Sequence, residues 1–231
     1  MPTQTIPETD GQSYLGVGLY SIPEAARILQ KNVGTVRNWA KGYKYFRGDE
    51  KHEVPAIIKH AYPELYAENL LTFEELVEMH VIKLFRDLKV PMHAIRRAAT
   101  RLSLILNNDH PFTVKGLLTD GKLIFYSFAE GHIEQLDNQQ LVIDRVLEQF
   151  LKKLEYKNDK VSRMWPIGID RVLIDPGISF GKPVVYPTGV PTYALYQMYK
   201  AGEDIEKMAD WWEVSVREIE DAIEFEKLLE N

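Results

Sequence analysis

The fold of this chain is decided by residues 21–42, which have the sequence SIPEAARILQKNVGTVRNWAKG. Ser21 is followed three residues later by Glu24, and this capping-box pattern predicts a helix that begins at Ile22. Polar residues then interrupt the apolar spacing of that helix, and a second helix is predicted from about Val33. Two helices joined by a tight turn are the pattern of a helix-turn-helix that contacts the major groove of DNA.

The second predicted helix carries side chains that suit DNA contact. Val33 and Val36 are placed to pack back on the first helix, so the polar side chains between and beyond them project outward. Arginine can donate two hydrogen bonds to guanine, asparagine can pair with adenine, and threonine and lysine commonly bind phosphates. The residues predicted to contact DNA from this helix are Thr35, Arg37, Asn38 and Lys41.

Local charge favours the same function. Residues 25–48 contain six basic residues and no acidic one, whereas the whole chain has a formal net charge of −6. Such a block is expected to release counterions from a phosphate backbone, and a merely solvated helical face is the alternative. The aromatic and basic residues that follow are expected to form either a small wing against the DNA backbone or the hydrophobic floor of the domain. They add three candidates for DNA contact, namely Tyr43, Lys44 and Arg47.

The segment just described, together with LTFEELVEMHVIKLFRDLKVPMHAIRRA at residues 71–98, resembles the winged helix-turn-helix of MerR-type regulators. The resemblance implies two further helices, the second of which starts after the turn at residues 89–91. Arg96, Arg97 and Arg101 lie on the polar side of that second helix, where they are expected either to contact phosphates or to form a solvated face. The segment that precedes residue 71 is longer than a typical MerR wing.

Composition excludes several classes of protein. The 231 residues, 45% of them hydrophobic, are enough for two small domains. No apolar run approaches the ~20 residues that span a bilayer. The N-terminal residues, MPTQTIPETDGQ, lack the pattern of a secretory signal, so a cytoplasmic protein with no membrane partner is expected. The chain has no cysteine, which excludes disulfides, thiolate zinc sites and a thiol nucleophile.

Sequence motifs of catalysis are missing as well. The six histidines are scattered without the spacing of a metal site, and no GxSxG elbow, Walker loop or GxGxxG pattern occurs. We therefore predict no catalytic residue, no metal site, no cofactor and no enzymatic activity.

The middle of the chain, TVKGLLTDGKLIFYSF at residues 113–128, predicts a β-hairpin. Its Asp120-Gly121 pair lies between apolar stretches and is a strong hairpin signal, because a type I′ turn needs positive φ at both central positions. A helix is predicted over residues 140–154, with an apolar face that forms either core or a dimer seam. A second small hairpin is predicted over residues 156–165.

The last part of the sequence predicts two short extended pieces followed by three helices. The extended pieces are placed at residues 172–174 and 183–185. The helices are placed at residues 192–201, from Asp204 onward, and from Ser215 onward with Glu218 completing a capping box. An apolar stripe on the second of these helices is expected to face the core and includes Trp212.

The charge of this last part is opposite to that of the first. Residues 203–230 contain eleven acidic and three basic residues. A helical unit with that surface repels phosphate. A protein-binding or dimerisation role is therefore predicted for it, and the acidic unit is also able to shield the basic one.

The same part of the sequence resembles the bacterial domain-of-unknown-function family 433. The matching motifs are Ile-Asp-Pro at 174–176, Gly-Lys-Pro-Val at 181–184, Thr-Gly-Val-Pro at 188–191, and an Ala-Gly pair at 201–202 before an acidic helix. Glycine and proline at turns serve backbone geometry first, and contact with a partner is the alternative role. The predicted partner-binding residues are Asp175, Pro176, Gly181, Pro183, Thr188, Gly189 and Pro191.

The combination of a MerR-like unit, a middle hairpin and this C-terminal unit is similar, over almost the whole length, to VapB-type antitoxins of the larger two-domain sort. The resemblance implies a type II toxin-antitoxin system, in which the antitoxin binds duplex operator DNA as a homodimer and neutralises a PIN-like ribonuclease toxin. The alternatives are a MerR-like, ligand-responsive transcriptional regulator without a toxin, and a purely structural interaction protein.

The predicted fold is mainly α with small β-hairpins. It combines a MerR-like winged helix-turn-helix with a C-terminal three-helix domain that is itself helix-turn-helix-like. Four regions are predicted: a disordered N-terminus at 1–16, a DNA-binding domain at 17–110, a connecting region of hairpin and helix at 111–167, and an acidic partner-binding domain at 168–231.

Overall fold

The computed structural model describes residues 14, 16–115, 117–119, 124–127, 133–135, 153–158, 160–166 and 169–230. This part of the chain contains eight α-helices and eleven short strands, so the predicted fold class, mainly α with small antiparallel hairpins, is confirmed. The N-terminus predicted to be disordered lies almost entirely outside the described residues. So does nearly all of the helix predicted over residues 140–154, and Leu154 belongs to a strand.

The N-terminal unit is built on the predicted helix-turn-helix. Its elements are β1 (Leu19–Ser21), α1 (Ile22–Ile28), α2 (Val33–Lys41), β2 (Tyr43–Arg47), β3 (Glu50–Val54), α3 (Pro63–Ala67), β4 (Leu70–Thr72), α4 (Phe73–Asp87) and α5 (Met92–Leu106). Strand β1 pairs with β4, and β2 pairs with β3, both antiparallel. The first pair joins the start of α1 to the start of α4, which fixes the two helices relative to each other.

Side-chain caps set the helix starts where the sequence predicts them. The Ser21 hydroxyl accepts a hydrogen bond from the Glu24 amide at 3.3 Å, and the Asn32 side chain accepts one from Gly34 at 2.7 Å. The predicted capping box at Ser21 is only half formed, because the Glu24 carboxylate binds Lys182 Nζ at 2.6 Å. Helix α1 is thus linked by an ion pair to the C-terminal part of the chain.

The middle of the chain forms two small sheets. Strands β5 (Leu117–Thr119), β6 (Ile124–Ser127) and β7 (Ile133–Gln135) make an antiparallel sheet in that order. The predicted hairpin is therefore confirmed by its strands, and its Asp120-Gly121 turn lies outside the described residues. The second predicted hairpin is also confirmed, as β8 (Leu154–Lys157) and β9 (Lys160–Met164).

The C-terminal unit has the predicted order of two strands and three helices. The elements are β10 (Val172–Leu173), β11 (Val184–Val185), α6 (Thr192–Lys200), α7 (Ile205–Trp212) and α8 (Val216–Glu230). Asp204 caps α7, and Ser215 and Glu218 form the predicted reciprocal capping box. The predicted apolar stripe on α7 holds at Met208, which is fully buried, and is wrong at Trp212, which is 37% exposed. Trp212 is the last residue of the helix, where the chain turns away from the core.

The two units share one hydrophobic core. Ile174, at the start of the C-terminal unit, is fully buried in the same cluster as Tyr20, Leu71 and Met164. Its backbone exchanges hydrogen bonds of 2.9 and 2.8 Å with that of Met164. A separate, smaller core lies among α6, α7 and α8. The N-terminal core is therefore completed by a residue from the C-terminal unit.

Polar contacts also join the two units. The buried Tyr20 hydroxyl donates a hydrogen bond of 2.6 Å to the carbonyl oxygen of Gly181. Arg27 lies against the end of α8, with its guanidinium 3.6 Å from the Glu226 carboxylate and its Nε donating to the Leu229 carbonyl at 3.4 Å. These contacts place α8 beside α1.

Candidate nucleic-acid interface

A groove of about 510 Å³ runs between α2, the β2–β3 hairpin and the junction of α4 with α5. Helix α2 contributes Thr35 and Asn38 to its lining. Tyr43 lines it from the hairpin, and Arg86 and Arg96 line it from α4 and α5. Three of the predicted DNA-contacting residues are therefore brought together in one concave, partly cationic surface.

The burial pattern of α2 shows which of its side chains face the core and which face solvent. Val36, Trp39 and Ala40 are buried against the rest of the unit. Arg37 is exposed and does not line the groove, so it projects from the adjacent face of the same helix. Lys41, also predicted, is half-buried at the end of the helix.

Residues Tyr43–Arg47 form a wing and not a domain floor. All five residues of β2 are exposed, with Phe46 at 71%, and they pair with Glu50–Val54. Gly42 makes the sharp exit from α2 possible, with φ +70° and space so tight that an added Cβ would lie 2.4 Å from the Val54 carbonyl oxygen. The wing therefore starts directly after the end of helix α2.

The basic block is partly neutralised within the protein. Lys31 Nζ lies 2.8 Å from the Asp87 carboxylate, Lys44 Nζ lies 3.5 Å from that of Glu53, and Arg27 pairs with Glu226 at 3.6 Å. Among the described residues of this block, the side chains of Arg37 and Arg47 make no hydrogen bond or ion pair. These two arginines are the members of the block most available to an anionic ligand.

Arg86 was missed by sequence analysis, and Arg96 was left open between two roles. Arg86 Nη1 donates to the Val90 carbonyl at 2.6 Å, and Arg96 Nη1 donates to the Ala56 carbonyl at 3.4 Å, so both guanidiniums are held at the groove. Burial lowers the pKa of Arg96, and the neighbouring Tyr43 partly opposes this. The only sequence signal for Arg86 is its place three residues before the turn between α4 and α5.

Two buried carboxylates of α4, Glu75 and Glu78, connect this helix to neighbouring segments. Glu75 completes a capping box with Thr72 and lies 3.1 Å from His60 Nδ1, whose Nε2 is 2.8 Å from the Ala40 carbonyl. Glu75 thereby connects the start of α4 to the end of α2. Glu78 lies 3.1 Å from His110, and burial raises the pKa of the Glu78 carboxyl.

The seven predicted partner-binding residues build the turns of the C-terminal unit. Gly181 and Pro183 are buried, and Thr188 is exposed. Asp175 accepts hydrogen bonds from Arg163 Nε and from the Gly177 amide, each at 2.8 Å. Pro176, Gly189 and Pro191 are half-buried. These placements show backbone-shaping positions, and contact with a partner stays a prediction.

Two families match the two units of this chain. Residues 18–99 match the family described as "Putative DNA-binding HTH domain", and residues 172–225 match "Protein of unknown function (DUF433)". One segment of the chain is thus similar to a helix-turn-helix domain and a second to DUF433. The predicted resemblances to a helix-turn-helix domain and to DUF433 are thus confirmed, and the groove described above lies in the segment that matches the first.

The chain is similar over most of its length to mycobacterial proteins. It is 26% identical to the "Putative antitoxin VapB45" of Mycobacterium tuberculosis over 226 residues, which cover 90% of this chain and 93% of that protein. The crystal structure of Rv2018 from Mycobacterium tuberculosis superposes with a TM-score of 0.61 and 20% identity, covering 88% of this chain and 96% of that one. The structural likeness supports the fold.

Two features are absent from the described residues. In this part of the chain no group of three His, Asp or Glu side chains is arranged to hold a metal ion. No described helix is both long enough and apolar enough to cross a membrane.

Proposed function

We propose that this protein is the antitoxin of a type II toxin-antitoxin system and acts in the cytoplasm. Its helix-turn-helix unit binds operator DNA, and its acidic DUF433 unit neutralises a PIN-like ribonuclease toxin. The observation that carries this proposal is the union, through one shared core, of a cationic recognition groove with an acidic helical unit. The end-to-end similarity to a putative antitoxin supports the same assignment.

The DNA-binding half of the proposal is supported by the arrangement around α2. Thr35 and Asn38 present hydrogen-bonding groups in the groove, and exposed Arg37 extends from the same helix. The wing, with Arg47 and exposed Phe46, is placed to follow the phosphate backbone beside a helix in the major groove. The protein binds as a homodimer in this proposal. Helix-turn-helix dimers place their two recognition helices in half-sites about one helical turn of DNA apart.

The toxin-binding half is supported by charge. Helices α7 and α8 carry eight of the eleven acidic residues of the region 203–230. A ribonuclease needs a basic surface to hold RNA, and an acidic unit complements such a surface. Neutralisation then requires only that the acidic unit cover the surface that RNA would occupy.

Binding to the promoter of its own gene tests the first half. In an anisotropy titration with that duplex, Arg37→Ala is expected to weaken binding by about 1–3 kcal/mol and to relax sequence preference. Arg47→Ala should weaken binding to all sequences alike and lower the salt slope by about one. Lys200→Ala, in α6, is the control that should bind as the parent does. Parental binding by both arginine variants would show that α2 and its wing do not contact DNA.

Co-expression tests the second half. The product of the neighbouring gene should arrest growth alone and lose its ribonuclease activity when this protein is present. Purified protein alone should cleave no RNA, in agreement with the prediction that it is not an enzyme. A harmless neighbour, or metal-dependent cleavage that a point mutation in this chain abolishes, would contradict the antitoxin assignment.

One observation favours a ligand-responsive regulator as the second candidate. A cleft of about 480 Å³ lies between the two units, lined by apolar groups of Ile28, Pro183 and Leu229 together with Arg27 and Lys182. Its volume falls in the range of small-molecule sites. If a small molecule released the protein from its promoter and no neighbouring gene product were toxic, this second function would replace the first.

A further inference from the structure

Helix α7 ends in two adjacent tryptophans that the fold leaves at the surface. Trp211 is 60% exposed and Trp212 is 37% exposed, while Met208 on the same helix is fully buried. Val216, at the start of the next helix, is 39% exposed. Large aromatic side chains are usually mostly buried in a folded monomer, so this cluster at the α7–α8 corner is unusual.

Neither tryptophan belongs to the buried core of this unit. In the described part of the chain, the Trp211 side chain makes no hydrogen bond and no aromatic ring contact. Trp212 donates its indole N–H to Met198 Sδ at 3.1 Å, a weak acceptor, and keeps part of its ring in solvent. The core of the unit is filled by Leu195, Met208 and Ile219 without either tryptophan.

The surroundings of the tryptophans are acidic. Glu206, Asp210 and Glu213 are exposed on or next to α7, where Lys207 is the one exposed cation, and Arg217 is exposed at the start of α8. Such a surface repels phosphate and attracts a basic protein. Tryptophan is among the residues most enriched at binding hot spots, because its ring buries a large area at a small entropic loss.

We propose that Trp211 and Trp212 anchor the partner protein, with Asp210 and its acidic neighbours steering a cationic surface of that partner onto them. This inference deepens the proposed function, on which it rests, by assigning the site of toxin contact to the α7–α8 corner. It differs from the seven turn residues predicted from sequence, because those shape the backbone whereas the tryptophans have exposed apolar area to bury. The occupant is a basic protein surface.

The test uses the full-length protein and the purified product of the neighbouring gene, mixed at fixed ionic strength and followed by calorimetry. Trp211→Ala should weaken the complex by about 30-fold, the threshold of a hot spot. It should leave promoter binding and the melting temperature unchanged, because the side chain is exposed. Tyr193→Ala is the matched control, since Tyr193 lies in the same unit and is 59% exposed.

Charge reversal on the same helix gives the sign of the partner surface. Asp210→Lys should slow association and Lys207→Glu should accelerate it, both most clearly at low salt. If Asp210→Lys accelerates association instead, the partner surface is acidic and the proposal is wrong. Light scattering on Trp211→Ala checks a second occupant: dissociation of a dimer with unchanged toxin affinity would make the corner a contact between two copies of this chain.

The outcomes separate this inference from the function it rests on. If the parent protein binds and neutralises the neighbouring product but Trp211→Ala and Trp212→Ala bind it equally well, the function stands and the anchor is overturned. If the parent does not bind that product at all, the antitoxin function fails, and the anchor fails with it.

Discussion

Replacement of Tyr20 by phenylalanine tests whether the two units are held together as the geometry indicates. The Tyr20 side chain is fully buried, and its hydroxyl donates a 2.6 Å hydrogen bond to the Gly181 carbonyl, 161 residues further along the chain. Burial, aided by the nearby carboxylates of Glu24 and Asp175, raises the pKa of this hydroxyl. The hydroxyl therefore keeps its proton at neutral pH and donates this hydrogen bond.

The expected effect follows from what the substitution leaves behind. Tyr20→Phe keeps the ring and its packing but leaves the Gly181 carbonyl without its donor in a buried site. An unsatisfied buried group destabilises by about 1–3 kcal/mol. For a chain of this length each kcal/mol lowers the melting temperature by about 2–4 °C, so we expect a decrease of about 2–12 °C.

Calorimetry measures the shift, and hydrogen exchange locates it. The amides next to Gly181 and in β1 should exchange faster in the variant, because they flank the broken contact. Tyr193→Phe is the control, since its side chain is exposed and a surface change is worth less than about 0.5 kcal/mol. A variant that melts within 1 °C of the parent, with unchanged exchange in both segments, would refute the idea that this hydrogen bond joins the units.

Three further substitutions probe the shared core, the wing and a buried histidine. Ile174→Ala, which removes a fully buried side chain from the common core, should lower the free energy of unfolding by about 2–5 kcal/mol in urea titrations; a loss below 1 kcal/mol would contradict a shared core. Gly42→Ala should displace the wing, because its Cβ would lie 2.4 Å from the Val54 carbonyl oxygen, and should weaken promoter binding with little change in α-helix content by circular dichroism. Burial lowers the pKa of His80 to about 4 from an ordinary 6.5. Between these two pH values the imidazole is protonated in the unfolded chain and neutral in the folded one. Stability should fall by about 3 kcal/mol as pH drops from 6.5 to 4, and His80→Gln, measured at the same pH values, should remove most of that slope.

Local signals predicted the helices well. Asp204 and the pair Ser215 and Glu218 cap helices where the sequence predicts them, and the helix predicted from about Val33 begins there, capped by Asn32. A cap is satisfied by atoms within three residues, so local sequence is enough to find it. The turn of the β8–β9 hairpin likewise lies within residues 156–165, where the second hairpin is predicted. Such features depend on neighbours in sequence, so a sequence pattern is sufficient to find them.

Features that depend on distant residues were not predictable. The charge of Arg27 is paired with Glu226 across the chain, and the Glu24 carboxylate binds Lys182, so neither side chain acts as its local sequence suggests. Trp212 has the spacing of a core residue, but α7 ends there and the chain turns away through Glu213 in the left-handed region. No local pattern indicates that an apolar position will face solvent at a helix end.

The residue Ile174 has a consequence for how this protein can be recombined. The two segments that match separate families, 18–99 and 172–225, suggest modules that can be exchanged one at a time. Yet a chimera with a foreign second segment would need an apolar side chain of matching shape at 174 and a glycine at 181 opposite Tyr20. The two segments therefore form a structurally matched pair, and exchange of one requires that the contacts at their junction be rebuilt.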